Sequence, residues 1–257
     1  PLKEDIFSKF KTEIMLEKYI IQLGEKDYNL TTGIISLGSC NMKLNLNDQL
    51  ESLNWKSVQD IHPYGIEQEG YKELINELEK MLCLITGLKK CSFQSNSRAM
   101  SQNTALLCMK KYHEDNNNDL KTCIIPESVH GTNCSSAFLT GFKVLKFKDD
   151  ISLDDFKNLV KNNNVGVLMI TSPSTFGVFE ENVKEFCKIV HSNGGLVYMD
   201  CLNMNSQIGI TSPQKIEADA CHLNLNKTFC IPNGGGGLVI GPILVNEKLE
   251  KYLPGNF

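Results

Sequence analysis

Short apolar runs alternate with amphipathic segments beyond residue 96, and this alternation limits the fold more than any other feature of the sequence. The apolar runs are TCIIP, KVLKF, VGVLMIT and GLVYMD, at 122–126, 143–147, 165–171 and 195–200. The segments with helical periodicity are 97–112, 129–140, 153–163 and 180–193. Runs of this length, separated by helices, are typical of parallel strands covered on both faces. The sequence therefore predicts an α/β fold with a mainly parallel sheet between helices.

The N-terminal third has a different pattern. Helical periodicity is present at 3–23 and 67–86, and the second helix is expected to end at Gly87, because glycine readily adopts the left-handed conformation of a C-cap. Between these helices lies a long stretch of glycine, proline and polar residues, which predicts ordered loops. We therefore expect residues 1–87 to form N-terminal helices and covering loops, and residues 88–257 to form part of a large ligand-binding domain.

The composition argues against several classes of partner. The net charge is −4, so the chain has no general electrostatic attraction to nucleic acid or to an anionic membrane. No apolar stretch approaches the roughly 20 residues that a membrane-spanning helix requires. The 10 cysteines contain no C-x-x-C pair and the five histidines no H-x-x-x-H run, so neither a disulfide framework nor a metal site is predicted.

Polar side chains follow the apolar runs at the positions where a parallel sheet binds ligands. His130 comes shortly after the first run, Asp200 ends the fourth, and Lys227 follows the alternating segment ADACHLNL. Because the carboxyl ends of parallel strands meet at one edge of a sheet, we expect these groups to share one rim. Upstream, Ser97 precedes a helix whose first backbone N–H groups are suited to binding a phosphate.

An amine, a carboxylate, an aromatic ring and a phosphate-binding helix start are the groups that pyridoxal phosphate (PLP) requires. Lys227 is suited to form the Schiff base, ionised Asp200 to keep the pyridine nitrogen protonated, and His130 to stack on the ring. Each residue also has a common structural role. A lysine after a strand is most often a surface residue, Asp200 and Ser97 are suited to capping helices, and His130 is suited to opening one.

Six segments carry a resemblance to a known family: SLGSCNMKLN, IHPYGIEQEGY, ESVHGTNCSSA, TSPSTFGVFEE, DCLNMNSQIG and ADACHLNLNKTFCIPNGGGG. Together they resemble, nearly from end to end, the C-terminal half of the glycine-cleavage P-protein, a family of PLP-dependent glycine decarboxylases. The resemblance implies a fold-type-I PLP-dependent transferase-like large domain with Lys227 and His130 as catalytic residues. It also implies that Lys227 and Asp200 bind the cofactor and that His130 lies over its ring. The other cofactor-binding residues that we expect are Ser97, Asn203 and Thr132.

The same resemblance implies an activity and its partners. Family members decarboxylate glycine and pass the aminomethyl group to the lipoyl arm of a carrier, the H-protein. Their chains continue past the end of this sequence, so we expect the C-terminal small domain to be absent here. A second subunit, or the remainder of the P-protein, is expected to complete the site in an oligomer. The implied location is the mitochondrial matrix in a eukaryote and the cytoplasm otherwise.

Several positions depart from the family pattern around the expected pocket. The phosphate loop N-S-G-A-Q-G-E of the family is N-S-R-A-M-S-Q here, with Arg98 and Ser101 at glycine positions and Gln102 at the glutamate position. A guanidinium at Arg98 is suited to bind the phosphate directly, but its bulk is equally suited to block the cofactor. Leu202 stands where an alanine packs on the ring in related folds. Family histidines are replaced by Phe176, Asn226 and Asn233.

Two further functions are open, and the first of them follows from these departures. A diverged or catalytically silent homologue would keep the fold as a structural or regulatory subunit of the P-protein assembly. A generic α/β nucleotide-binding protein would use the glycines 234–237 as a phosphate loop, although they lack the G-x-G-x-x-G and G-K-[ST] frames. Binding of PLP to Lys227 would distinguish the enzyme from both.

Overall fold

The computed structural model of the protein describes residues 3–28, 32–33, 47–62, 65, 68–229 and 240–255. The SLGSCNMKLN segment, Asn233 and the glycines 234–237 lie outside these residues. The described α-helices are α1 (Ile6–Lys9), α2 (Glu13–Gly24), α3 (Asn47–Glu51), α4 (Lys56–Gln59), α5 (Glu69–Thr86), α6 (Arg98–Asp115), α7 (Gly131–Leu139), α8 (Leu153–Asn162), α9 (Val183–Ser192) and α10 (Leu225–Thr228). Short 3₁₀ turns occupy Ser52–Asn54, Met204–Ser206 and Glu250–Tyr252.

The strands form one sheet. They are β1 (Lys90–Ser92), β2 (Thr122–Pro126), β3 (Lys143–Phe147), β4 (Val165–Thr171), β5 (Leu196–Cys201), β6 (Ala220–Leu223) and β7 (Ile243–Val245). Their order is β1-β7-β6-β5-β4-β2-β3, and β7 runs antiparallel to both of its neighbours while the other pairs are parallel. The predicted α/β fold with a mainly parallel sheet is therefore confirmed. The pattern of apolar runs does not predict β1 and β7, since three residues are too few to show a period.

Each central strand buries both of its faces. Alternate residues of β4 enter different apolar clusters: Val167 and Met169 pack with α6 and α7, whereas Leu168 and Ile170 pack with α8 and α9. Side chains of a strand point alternately to the two faces, so a strand between two helical layers must be apolar throughout. This explains why the runs in the sequence show no polar alternation.

The N-terminal third differs from the prediction at two points. The stretch expected to form loops contains the short helices α3 and α4. The helix expected at 3–23 is two helices, because Phe10 adopts extended backbone and Thr12 caps α2 by accepting from the Met15 N–H at 3.3 Å. By contrast, α5 ends as predicted at Gly87, whose φ of 75° is the left-handed conformation. None of the helices in the described ranges combines the length and apolar composition that crossing a bilayer requires.

Candidate functional site

Three neighbouring strands bring polar side chains to the carboxyl edge of the sheet. Asp200 of β5 is in register with Thr171 of β4 on one side and with His222 of β6 on the other. These strands lie in the middle of the sheet, so Asp200 and His222 are almost completely buried, with 1% and 0% of their surface exposed. The carboxyl edge of such a sheet is where α/β proteins bind their ligands.

Arg98 lies directly on this carboxylate. It is the first residue of α6, whose N-cap is Ser97, and its Nη2 is 2.6 Å from Oδ2 of Asp200. The side chain of Arg98 is 17% exposed and that of Asp200 only 1%, which makes this a largely buried ion pair. From the sequence, Arg98 is suited either to bind the phosphate or to block the cofactor, and in the structure it pairs with Asp200.

Both oxygens of Asp200 have further hydrogen-bond donors. Nε2 of Gln102, one turn along α6 from Arg98, donates to Oδ2 at 3.3 Å, and the backbone N–H of Leu202 donates to Oδ1 at 3.2 Å. Gln102 is itself held in place, because its Nε2 also donates to Asn133 at 2.7 Å. The carboxylate therefore has donors at each oxygen, as a buried charge requires.

Burial disfavours the charged form of the imidazole beside the carboxylate. Nδ1 of His222 lies 2.6 Å from the hydroxyl of Tyr198, and Nε2 lies 3.5 Å from Oδ1 of Asp200. Burial lowers the pKa of His222 below its usual value, and the charges of Arg98 and Lys227 lower it further, while Asp200 opposes them. Among the described residues, Arg98 makes the shortest ion-pair contact with Asp200, at 2.6 Å.

Lys227 belongs to the same electrostatic cluster. It lies on the single turn α10, which follows β6 directly, and its side chain is half-buried. Burial lowers the pKa of Lys227 below 10.5, the positive charge of Arg98 lowers it further, and the negative charge of Asp200 raises it in part. A lowered pKa increases the share of unprotonated amine, which is the nucleophilic form.

A cavity of about 530 Å³ opens beside this cluster. Its lining includes Arg98, His130, Asp200, Leu202 and Asn203. The structure thus brings three of the six expected site residues, His130, Asp200 and Asn203, to one cavity. Ser97, Thr132 and Lys227 are not among the described lining residues.

His130 and Ser97 also have the structural roles that the sequence left open. His130 is the N-cap of α7, where its Nδ1 accepts from the Thr132 N–H at 3.2 Å and lies 2.9 Å from the Thr132 hydroxyl. Ser97 caps α6 by accepting from the Met100 N–H at 3.3 Å. These bonds fix the start of each helix at the rim of the cavity.

Tyr198 and His222 were missed by the sequence analysis. A signal for Tyr198 was present, because residues 198 and 200 are two apart on one strand and face the same side. A signal for His222 was also present, because it places an imidazole inside the otherwise apolar run of β6. The position of His222 beside Tyr198 and Asp200 depends on the register of β6 against β5, which a single sequence does not fix.

Comparison with known proteins connects this geometry to a family. The family model for the glycine cleavage system P-protein matches residues 4–257. This chain belongs to the glycine cleavage system P-protein family. It is 44% identical over 264 residues to the mitochondrial glycine dehydrogenase (decarboxylating) of Flaveria trinervia, a match that covers 99% of this chain and 26% of that protein. It is 42% identical to the glycine dehydrogenase (decarboxylating) of Prochlorococcus marinus (strain NATL1A), with 99% and 27% covered. The chain therefore spans about a quarter of the length of these relatives.

Solved structures agree on the fold. A crystal structure of glycine decarboxylase (P-protein) in inhibitor-bound form matches with a TM-score of 0.72 at 15% identity, covering 100% of this chain and 56% of that one. The structure of Oryza sativa TDC with PLP and tryptamine matches with a TM-score of 0.66 at 10% identity, covering 97% and 58%. At these identities the likeness establishes the fold alone, and it confirms the fold-type-I architecture expected for a P-protein.

The residues present fit PLP in their chemistry. The site offers an amine of lowered pKa in Lys227, a buried carboxylate in Asp200 and an imidazole at the cavity in His130. Asn226 Oδ1 and Thr228 Oγ1, on either side of the lysine, are buried and have no hydrogen-bond partner among the described atoms. Buried polar atoms without partners are costly, so they indicate a site for another polar group.

Proposed function

We propose that this chain is the PLP-binding part of a glycine decarboxylase of the glycine cleavage system. The observation that supports this most is that Asp200 and His130 line one cavity at the carboxyl edge of the sheet, with Lys227 on the turn that follows the neighbouring strand β6. When bound, PLP supplies a protonated ring that accepts the electron pair left by the departing carbon dioxide. Lys227 would hold the aldehyde carbon through its unprotonated amine, and Asp200 would keep the ring nitrogen protonated.

The other site residues have supporting roles in this proposal. His130 would pack on the ring from the start of α7, and Asn203, Thr132 and Ser97 would bind polar groups around it. The substrate is glycine, and the lipoyl arm of the H-protein takes the aminomethyl group. A second subunit or the remainder of the P-protein completes the site in an oligomer. We place the protein in the mitochondrial matrix if its source is a eukaryote, as its plant relatives are named mitochondrial, and otherwise in the cytoplasm.

The first test of this proposal is covalent attachment of PLP to Lys227. We expect the purified protein to develop visible absorbance with PLP, and borohydride reduction to fix the label on Lys227 in a peptide map. Lys227→Ala should abolish the label, and it should also abolish glycine decarboxylation measured with the remainder of the P-protein and lipoylated H-protein present. Lys188→Ala, which removes a surface lysine paired with Glu185, is the matched control and should retain them. A folded protein that takes up no PLP at Lys227 would contradict the proposal.

One observation favours a second function. The ion pair between Arg98 and Asp200 occupies the carboxylate that the cofactor ring needs, which is what a catalytically silent structural subunit would tolerate. Such a subunit would bind the rest of the P-protein assembly equally well with and without Lys227→Ala. Loss of assembly in that variant, measured by size-exclusion chromatography with the partner, would argue against the second function.

A further inference from the structure

Arg98 is the only arginine in the sequence, beside 25 lysines. Its Nη2 contacts Oδ2 of Asp200 at 2.6 Å, and Gln102 donates to the same oxygen at 3.3 Å. Arginine stays charged even when buried, because its pKa is far above the physiological range. Two residues of the first turns of α6 therefore place donors on one oxygen of the carboxylate.

The three donors to Asp200 differ in how easily each is displaced. The Leu202 donor is a backbone N–H, and Gln102 is fully buried with 0% of its surface exposed. Arg98 is the exception, since part of its side chain faces the cavity and its Nε is buried without a hydrogen-bond partner. Arg98 is therefore the donor that a ligand in the cavity displaces most easily, since its contact with Asp200 is the one side-chain hydrogen bond that Arg98 makes within the described residues.

We propose that Arg98 is a counter-ion that competes with PLP for Asp200, so that cofactor binding requires Arg98 to leave the carboxylate. A protonated pyridine nitrogen needs the carboxylate as hydrogen-bond acceptor, and Oδ2 already accepts from Arg98. The inference extends the proposed function, because it assumes that the cavity receives the cofactor. Arg98 is a residue that limits cofactor loading and takes no part in the reaction itself.

The test is a PLP titration of the cofactor-stripped protein and its Arg98→Ala variant, followed by absorbance and by stopped-flow mixing. We expect Arg98→Ala to bind PLP about 10- to 100-fold more tightly, which is the range that one hydrogen bond to a charged group contributes. Lys111→Ala is the matched control, since it removes a cation from the other end of α6, where Lys111 pairs with Asp115 at 2.8 Å. It should bind PLP like the wild type.

Titration with pyridoxal, which lacks the phosphate, separates the two roles open to Arg98. Competition for Asp200 predicts that Arg98→Ala gains affinity for pyridoxal and for PLP alike. If Arg98 instead binds the phosphate, the variant loses affinity for PLP and keeps its affinity for pyridoxal, and the inference is wrong. Arg98→Gln, which removes the charge and keeps an amide donor, replaces the alanine variant if that one does not fold.

The possible results also separate this inference from the proposed function. Equal PLP affinity of wild type and variant, with Lys227 labelled in both, overturns the inference and leaves the proposed function standing. If Arg98→Ala binds PLP and the wild type does not, the inference is supported, and the wild type is the catalytically silent subunit. If neither folded protein binds PLP or pyridoxal, both proposals fail.

Discussion

At the scale of the residue, the chemistry of Lys227 depends on two charges of opposite sign. Burial is the largest cause of its lowered pKa, the cation of Arg98 acts in the same direction, and the anion of Asp200 acts against them. Because Arg98 is paired with Asp200, the two charges partly cancel at the lysine. A substitution at position 98 should therefore change the pKa of the Lys227 amine without a direct contact between the two side chains.

We predict that Arg98→Ala raises the pKa of Lys227. The positive charge of Arg98 disfavours protonation of the amine, so its removal makes protonation easier, while burial still keeps the pKa below 10.5. The pH dependence of Lys227 acylation by acetic anhydride, read by mass spectrometry without PLP, measures this directly. The midpoint should move to higher pH in Arg98→Ala and stay unchanged in Lys111→Ala. A midpoint that moves to lower pH would contradict the assignment of charges.

At the scale of the element, close packing of β4 against the chain before β2 fixes the sheet that carries the site. Gly166, the second residue of β4, has the backbone carbonyl of Leu120 where a Cβ would lie. His113 of α6 adds a bond between its Nε2 and the Gly166 carbonyl at 2.9 Å. A carbonyl of the backbone moves only together with its strand, so glycine is required for steric reasons at this position.

Two glycine-to-alanine substitutions should have opposite effects. We expect Gly166→Ala to lower the free energy of unfolding by about 1–3 kcal/mol, the usual cost of overpacking. Gly70→Ala places its methyl group on α5, where no atom of the described residues lies within 4 Å, and should raise the free energy of unfolding by up to about 1 kcal/mol. Urea unfolding followed by circular dichroism gives both values. Equal effects of the two substitutions on the free energy of unfolding would show that the contact with Leu120 does not affect stability.

At the scale of the whole molecule, the two edges of the sheet have different tasks. The carboxyl ends of the central strands carry Asp200 and the cavity. Asp219, just before β6, lies at the opposite edge, where these strands begin. The buried carboxylate of Asp219 accepts from the Val197 N–H at 2.7 Å and from Asn246 at 2.6 Å, and it lies 2.7 Å from Nε2 of His191. These bonds connect β5, the chain after β7 and α9, so we infer that this edge stabilises the fold.

We predict that Asp219→Ala lowers the free energy of unfolding by about 3 kcal/mol or more, because it leaves several buried donors without an acceptor. Its affinity for PLP should stay within about twofold of the wild type when measured well below the unfolding transition. The control Asp119→Ala removes an exposed carboxylate and should change stability by less than about 0.5 kcal/mol. Thermal unfolding and the PLP titration test both points. A large loss of PLP affinity would show that the two edges are coupled.

Local patterns in the sequence were enough to predict most elements and the positions of the expected site residues along the chain. The four apolar runs are strands, because a strand buried on both faces has to be apolar at every position. Gly87 ends a helix, because its left-handed backbone suits glycine. The rule that parallel strands end at a common edge predicted where His130 and Asp200 lie.

The partners of each side chain were decided only by the tertiary structure. Arg98 and Asp200 are 102 residues apart in the sequence, and no local period brings them together. Their contact depends on how α6 is placed over the carboxyl end of β5, and His222 reaches the same carboxylate through the register of β6 against β5. Residue types and their order come from the sequence, whereas the charge around Lys227 comes from distances that only the packed chain defines.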